Sequence, residues 1–212
     1  MTYPRPTPIY HITHIDNLPN ILAAGGLRCK SDSSGTETVS IAYENIQKRR
    51  SARAILLDPK GTLHDYVPFY FSTRSPMLYT IAKGNVSTFQ GSQADIIYLA
   101  STVQNVIDHS LDFVFTDGHA IVSFTQFYKA IDDLAHIDWQ VIANRWWHDN
   151  PEHPDRKRRK QAEFLVHRFF PWDCVMAVAV QNKAVYERVQ NVFVRHPSAP
   201  PKPILLRPPW YY

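Results

Sequence analysis

The stretch YHITHIDNLPNILAAGGL, residues 10–27, sets the opening of the fold. Its first residues mix β-branched and aromatic side chains directly after a proline-rich start, which predicts a short strand over residues 9–13. Asp16 or Asn17 is suited to cap the helix that follows, in which apolar residues recur at helical spacing. Gly25 and Gly26 supply the stop at its C-terminal end. The chain therefore begins with a strand, a turn, a helix and a glycine stop.

The composition around this unit is typical of one folded domain. The chain has 212 residues, of which 44% are hydrophobic, so it contains enough apolar side chain for a real core. A formal net charge of +4 permits a nucleic-acid partner only where the charge is clustered. Neither a membrane-spanning apolar run nor a secretory signal is recognisable. We therefore expect a cytoplasmic protein that does not enter a membrane.

Further strands and helices are predicted from local patterns along the rest of the chain. Short apolar or aromatic runs predict strands at 66–72, 94–100, 113–116, 161–166 and 174–180, with a further short strand at 120–123. Helices are predicted at 41–50 and 127–134. The polar stretch 30–38 and the long stretch 138–160 are expected to be loops, and the proline-rich tail 197–212 a surface strap. Together these elements predict one α+β domain with short strands.

Several common reaction types have no support in the sequence. The two cysteines, Cys29 and Cys174, are far apart and form no CxxC pair, and the histidine spacings match no standard zinc site. Walker A, GxGxxG and GxSxG motifs are absent as well. We therefore expect no protein-bound metal, no phosphate-binding glycine loop and no serine hydrolase.

Glu163 is the acidic residue whose surroundings suggest chemistry. Basic residues precede it, and the core-seeking residues Phe164, Leu165 and Val166 follow, so it lies at an edge of the core. A carboxylate held there can bind a sugar hydroxyl and stabilise positive charge on an anomeric carbon. The competing interpretation is a strand-end glutamate paired with a nearby arginine, and spacing alone favours that one.

The run RKRRK, residues 156–160, also has two interpretations. Single-strand nucleic-acid binders combine cations along the phosphates with aromatic faces for the bases, and Trp146 and Trp147 stand nearby. The run is equally compatible with a solvated charged segment beside buried tryptophans.

Four blocks in order resemble the DarT family of DNA ADP-ribosyltransferase toxins. They are residues 10–27 above, GTLHDYVPFYFSTRSPMLY (61–79), FVFTDGHA (113–120) and RKRRKQAEFLVHRFFPW (156–172). The resemblance implies a PARP-like ADP-ribosyltransferase fold, in which short strands form a split central sheet with flanking helices. It also implies NAD as co-substrate, thymine in single-stranded DNA as acceptor with some sequence preference, and a DarG-like macrodomain antitoxin as partner of the toxin.

The resemblance assigns roles to individual residues. The catalytic residues would be Glu163 and an arginine. Counting back without a gap from Gly61 favours Arg50 for that arginine, and a one-residue shift would make it Arg49. A guanidinium does not readily lose a proton, so it would polarise the base rather than act as a literal general base. NAD would be held by His11, Ile12, Thr13, Asn20, Arg28 and Tyr70. DNA would be contacted by His119, Trp147, Arg156, Arg158 and Arg159.

The resemblance also divides the chain into functional parts. Residues 8–212 would form the ordered core, 30–50 would cover NAD, and 119–160 would recognise the substrate. Two alternatives remain open. One is an ADP-ribosyltransferase that acts on RNA or protein, and the other is a catalytically silent module that binds single-stranded DNA.

Overall fold

Strands from both ends of the chain meet in one eight-stranded sheet. The computed structural model describes residues 3–32, 39–86 and 89–212, so part of the predicted 30–38 loop, residues 33–38, lies outside the described residues. The strands are β1 (Pro8–His14), β2 (Gly26–Arg28), β3 (Ala54–Ile55), β4 (Gly61–Thr62), β5 (Tyr66–Tyr70), β6 (Ile96–Thr102), β7 (Phe113–Thr116), β8 (Phe127–Tyr128), β9 (Glu163–His167), β10 (Phe169–Pro171), β11 (Ala177–Val180) and β12 (Ile204–Leu206). The α-helices are α1 (Leu18–Ala23), α2 (Glu44–Ala52), α3 (Pro76–Ala82), α4 (Val103–Asp108), α5 (Trp139–Ala143), α6 (Arg156–Lys160) and α7 (Lys183–Arg195).

The central sheet is split between β1 and β5. Its order is β12-β11-β6-β1-β5-β9-β7-β8. β1 pairs with β6 at seven positions and β5 pairs with β9 at five, but β1 and β5 share the single pair Tyr10 and Tyr70. The two half-sheets therefore diverge at their junction, as the family resemblance predicts for the fold.

β1 is a central strand because apolar residues cover both of its faces. Ile9 is fully buried in the main core, and Ile12, which is 8% exposed, belongs to a second apolar cluster on the other side. Neighbouring side chains of a strand point to opposite faces, so residues at an odd spacing reach different layers. The polar residues His11 and Thr13, on either side of Ile12, are thus held on a strand that cannot shift without exposing the core.

The helix α7 has no counterpart among the predictions from sequence. Asn182 caps it by accepting a hydrogen bond from the backbone N–H of Val185. Val185 and Val189, four residues apart, are buried on one face, and the helix packs against α1, β11 and β12. The cap and the apolar spacing were both visible in the sequence and together indicate this helix.

Three of the predicted local structures are wrong. Residues 120–123 are a turn rather than a strand, and 127–134 begins with β8 and continues as a 3-10 turn over Ile131–His136. The expected loop 138–160 contains α5 and α6. The tail is more than a strap, since β12 pairs in parallel with β11 and Tyr211 is 1% exposed. In each case contacts with distant residues override the local pattern.

Within the described ranges, no helix has the length and apolar character needed to cross a membrane.

Candidate active site

A cavity of about 580 Å³ lies at the junction of the two half-sheets. β1 lines one side, β5 and the start of β9 line the other, and α2, α6 and the loop after β7 complete the walls. A second cavity of about 430 Å³ adjoins it, with Pro76, Thr80, Asp149 and Lys157 lining both. The split in the sheet thus opens directly into this cavity.

Glu163 is the buried acid of this cavity. It is the first residue of β9 and is 2% exposed. Its Oε2 accepts a hydrogen bond from Arg50 Nη1 at 2.8 Å, and its Oε1 accepts one from the backbone N–H of Ala120 at 3.1 Å. Burial alone would raise the pKa of this carboxyl, but the charge of Arg50 and the nearby His119 outweigh burial and lower it to about 2. The carboxyl is therefore ionised at neutral pH and can only accept hydrogen bonds.

Arg50 faces inward and Arg49 does not. Arg50 is 8% exposed and pairs with Glu163, whereas Arg49, its neighbour on α2, is exposed at the cavity lining. Arg50 Nη2 is buried and has no hydrogen-bond partner in the described ranges 3–32, 39–86 and 89–212. A buried donor without a partner is costly, so this atom is available to a bound acceptor.

The loop after β7 brings a histidine and a backbone donor to Glu163. His119 Nδ1 lies 3.3 Å from Glu163 Oε1, within ion-pair distance but without the angle of a regular hydrogen bond. Ala120 is fully buried beside it. Thr116 joins the loop to the strand, since its hydroxyl accepts from Glu163 N at 3.0 Å and donates to Gly118 O at 2.7 Å.

β1 supplies the opposite wall. His11 Nδ1 is 2.8 Å from the carbonyl oxygen of Pro68 on β5, and Thr13 Oγ1 accepts from the amide of Asn17 at 3.0 Å. His11, Ile12 and Thr13 all line the cavity. The same Asn17 amide donates to Val39 O at 2.9 Å and accepts from Val39 N at 2.9 Å, so it ties the segment before α2 onto β1.

The other residues predicted to hold NAD are distributed unequally. Tyr70 lines the cavity, and its pKa is raised by burial and by the negative charge of Glu163. Arg28 also lines it, with Nη1 bound to Asp32 at 3.0 Å. Asn20 is not part of the lining, and Asn17, which sequence reasoning missed as a site residue, occupies the lining position one turn earlier.

The basic helix α6 is mostly engaged with the protein itself. Arg158 donates to Asp155 and Asp117, and Arg159 Nη1 donates to Asp138 at 2.5 Å. Lys160 is 2% exposed and its ammonium donates to carbonyl oxygens at the end of α5, including Ile142 O at 2.7 Å. The prediction that Arg158 and Arg159 contact DNA therefore meets a structural reason against it, because every guanidinium nitrogen of Arg158 and two of the three of Arg159 already have acceptors.

The two remaining cations of α6 are different. Lys157 is exposed and lines both cavities, and Arg156 is half-buried. Neither side chain forms an ion pair with any residue that the structure describes. These two remain suited to contact phosphates.

Trp147 is a packing residue rather than an open stacking face. It is 5% exposed, its indole N–H donates to the Tyr212 hydroxyl at 2.6 Å, and its ring stacks on His148. Its neighbour Trp146 is 68% exposed and presents the free ring that base stacking requires. The burial of Trp147 therefore speaks against a stacking role, although Trp147 lines the second cavity, and its contact with DNA stays a prediction.

Sequence reasoning also missed two further features of the site. The Ala120 backbone N–H has no side-chain signature, so its bond to Glu163 follows only from the folded loop. His64 lines the cavity and pairs with Gln47 at 3.0 Å, and burial followed by the Arg50 charge lowers its pKa. Among the described residues, no three metal-ligating side chains come together.

Comparisons with known proteins find relatives along the whole chain. Residues 10–212 match the family model described as "ssDNA thymidine ADP-ribosyltransferase, DarT". A "DNA ADP-ribosyl transferase" of Thermus sp. (strain 2.9) is 45% identical over 211 residues, which is 100% of this chain and 99% of the relative. A "DNA ADP-ribosyl transferase-DNA ADP-ribosyl glycohydrolase fusion protein" of Thermosipho africanus is 29% identical over 193 residues, 89% of this chain and 46% of the fusion.

Solved structures are similar over the whole chain. That of Thermus sp. 2.9 DarT in complex with ADP-ribosylated ssDNA has a TM-score of 0.95 and 44% identity, and covers 100% of this chain and 99% of that one. The same enzyme in complex with NAD+ gives a TM-score of 0.91 and 42% identity, with 100% of both chains covered.

Proposed function

The chain belongs to the DarT family of single-stranded-DNA thymidine ADP-ribosyltransferases, and from this premise we propose how its own residues carry out the reaction. It is an NAD-dependent enzyme that transfers ADP-ribose to thymine in single-stranded DNA and releases nicotinamide. The observation that carries the assignment of roles is the buried Glu163–Arg50 pair in the wall of the cavity.

The cavity fits an elongated dinucleotide with a charged centre. Its volume of about 580 Å³, its mainly apolar walls and the unpartnered Arg50 Nη2 suit such a ligand. We assign His11, Ile12, Thr13 and Tyr70 to the nicotinamide-ribose half, because Tyr70 pairs with Glu163 across β5 and β9 and the three β1 residues line the same cavity. Arg28 serves the phosphate and adenosine half, with Asn17 in place of Asn20. NAD supplies an anomeric carbon that becomes electrophilic as neutral nicotinamide departs.

Glu163 stabilises that positive charge. A carboxylate offers about four acceptor positions, and three polar groups of the protein, Arg50 Nη1, Ala120 N and His119 Nδ1, lie at its oxygens. An acceptor position therefore remains for a ribose hydroxyl. Because its pKa is lowered to about 2, Glu163 keeps its negative charge facing the developing oxocarbenium ion.

Arg50 acts as a cation and not as a base. A guanidinium stays protonated in proteins, and the buried Glu163 carboxylate at 2.8 Å is its counter-charge. Its free Nη2 donor is suited to a carbonyl oxygen of thymine, where it would stabilise the anion that forms when the imide proton leaves.

His119 is the residue we assign to accept that proton. It lines the cavity, and histidine is the side chain that exchanges a proton most readily near neutral pH. With Glu163 Oε1 at 3.3 Å, the imidazolium would be stabilised as it forms. The proton passes from the thymine nitrogen to His119, that nitrogen bonds to the anomeric carbon, and the electron pair of the broken glycosidic bond leaves with nicotinamide.

The DNA strand would approach along α6 and the loop after β7. Lys157 and Arg156 are the cations available for phosphates, and Trp146 offers an exposed ring for a base.

We further propose the biological setting. Residues 8–212 act as one catalytic domain, in which 30–50 covers NAD and 119–160 receives DNA, because strands from both ends of the chain share one sheet. Modification of replicating DNA in the cytoplasm would make the protein a toxin. The fusion of a similar transferase to a DNA ADP-ribosyl glycohydrolase in Thermosipho africanus supports a DarG-like antitoxin that removes the modification.

The function is tested by incubating the protein with NAD and matched acceptors. The acceptors are a thymine-containing single strand, the same strand with every thymine replaced, its duplex, RNA and protein. We expect nicotinamide release together with a mass gain of one ADP-ribosyl group on the first strand. Transfer to RNA or protein alone, or DNA binding without transfer, would overturn the proposal.

A further inference from the structure

Arg158 is wrapped by the loop that joins β7 to β8. Its Nη1 donates to Asp117 Oδ1 at 2.9 Å and to Thr125 Oγ1 at 3.2 Å, at the two ends of the loop. Its Nε and Nη2 both donate to Asp155 at 2.8 Å. The guanidinium also lies over the ring of Phe124, 5.0 Å from the centroid. Every nitrogen of the guanidinium is therefore bound within the protein.

This loop carries the groups that contact Glu163. His119 Nδ1 and the Ala120 N–H both approach Glu163 Oε1, at 3.3 Å and 3.1 Å. The backbone of the loop is joined to α6 next to them, since His119 N donates to the carbonyl oxygen of Arg158 at 3.0 Å. Arg158 thus holds the loop at its ends through its side chain and in its middle through its backbone.

Gly118 shows how closely the loop fits the guanidinium. A Cβ atom at this position would lie 2.3 Å from Arg158 Nη1 and 2.9 Å from Arg158 Cγ. The Arg158 side chain and a side chain at position 118 cannot occupy the same space, so either the loop or the arginine would have to move. The absence of a side chain next to His119 is therefore a requirement of the Arg158 contact.

We propose that Arg158 is a positioning residue, which holds loop 117–125 on α6 so that His119 and the Ala120 N–H face Glu163. This inference rests on the proposed function and removes Arg158 from the DNA-contacting residues. Its side chain is 12% exposed, and a phosphate would have to displace Asp117 or Asp155 to reach it. Arg158 lines the cavity, but each of its guanidinium nitrogens is bound within the protein, so the catalytic geometry depends on an arginine that acts through the loop rather than by binding NAD or DNA.

Arg158→Met tests the two roles against each other. Release of the loop lowers kcat, by about 100-fold for a displacement of about 1 Å, while KM for NAD and for DNA stays within about twofold. A phosphate-contacting arginine gives the opposite result, a higher KM for DNA and a salt slope that falls by about 1. That second pattern would overturn the proposal.

Arg188→Met is the matched control. Arg188 also bridges two carboxylates, Asp95 at 2.9 Å and Asp16 at 3.2 Å, but none of the three lines the cavity. We expect unchanged kcat and KM. An equal loss of kcat in both variants would mean that Arg158 acts only through general stability.

Gly118→Ala provides a second route to the same loop without removing the arginine. It should lower kcat in the wild-type background and have little further effect in Arg158→Met, because the guanidinium, whose Nη1 is the nearest clash partner at 2.3 Å, is then gone and the remaining Cγ belongs to a side chain that nothing holds in place. Independent, additive effects of the two substitutions would contradict a shared cause. Asp117→Asn serves as a milder variant if Arg158→Met does not fold, with a smaller loss of kcat and the same KM values.

A spectroscopic measurement separates this proposal from the proposed function. The imidazole proton resonances of His119, assigned with His119→Gln, should shift in Arg158→Met and in Gly118→Ala but not in Arg188→Met. Unchanged resonances in the first two variants would overturn the positioning role whether or not the wild type modifies DNA. If the resonances shift in these two variants while the wild type transfers nothing to DNA, the positioning role of Arg158 stands and the proposed function is refuted.

Discussion

Helix α6 and the first residue of β9 are neighbours in the chain, yet their charges are used in opposite ways. Glu163 is 2% exposed and faces the cavity, with a backbone N–H and a buried arginine as partners. In α6, Arg158, Arg159 and Lys160 bind acceptors of the protein, and Lys157 is the exposed cation that lines the cavity. The comparison teaches that the partners of a charge, rather than the local density of charge, determine whether it is free for a substrate.

The strongest test of this contrast is Glu163→Gln. The substitution keeps the size of the side chain but removes its charge, so we expect transfer to fall by about 1000-fold. Arg50 would lose its buried counter-charge, which costs roughly 3 kcal/mol in the free energy of unfolding. Nicotinamide release and urea unfolding measure the two effects.

A double substitution separates catalysis from stability at the same site. Glu163→Gln combined with Arg50→Met removes the unpaired charge, so the free energy of unfolding should recover while transfer stays absent. Recovery of transfer in this double variant would show that the pair is structural only.

The second test uses the two adjacent arginines of α2. Arg50→Lys keeps a positive charge but loses the planar fork, and we expect kcat to fall by about 100-fold. The matched variant Arg49→Lys, on the exposed side, should change kcat by less than about threefold. Steady-state kinetics with saturating NAD decide between them, and the reverse ranking would reassign the catalytic arginine.

Lys160→Met tests how burial affects the ammonium group at the C-terminal end of α6. Burial and the charge of Arg74 lower the pKa of Lys160 to about 8 in the folded protein, whereas the unfolded side chain titrates near 10.5. Between these values the unfolded chain binds more protons, so the free energy of unfolding gains up to about 1.4 kcal/mol per pH unit as pH rises. Lys160→Met lacks this gain. The free energy of unfolding of the wild type should therefore rise relative to that of the variant from about pH 8 to about pH 10.

Urea unfolding at several pH values measures that gap. Because the variant shares the other titrating groups, their contributions cancel in the difference. Two parallel stability curves would show that the ammonium of Lys160 is not destabilised by burial.

The smallest expected effect belongs to Lys157→Ala. One exposed phosphate contact is lost, so KM for DNA should rise a few-fold while kcat is unchanged, and the salt slope of binding should fall by about 1. Fluorescence anisotropy with a labelled single strand at several salt concentrations measures the slope. An unaltered slope would mean that α6 contributes no cation to DNA.

Part of the site was predictable because its signals are local. The alternation in β1 and the switch from basic to core-seeking residues at Glu163 both appear within a few residues, and both elements form where predicted. The face of α2 that points inward, in contrast, could not be predicted from local signals. The segment contains a single large apolar residue, Ile46, so periodicity cannot tell which of Arg49 and Arg50 faces inward.

The sequence by itself therefore determined the family, the α+β fold with a split sheet, the acid and the pair of candidate arginines. The tertiary structure alone decided that Arg50 is the buried member, that Trp147 packs while Trp146 is exposed, and that most cations of α6 are already bound. The physical reason is distance along the chain. Arg50 and Glu163 are separated by 113 positions, and Arg158 and Asp117 by 41, so their pairing exists only once the sheet has brought their elements together.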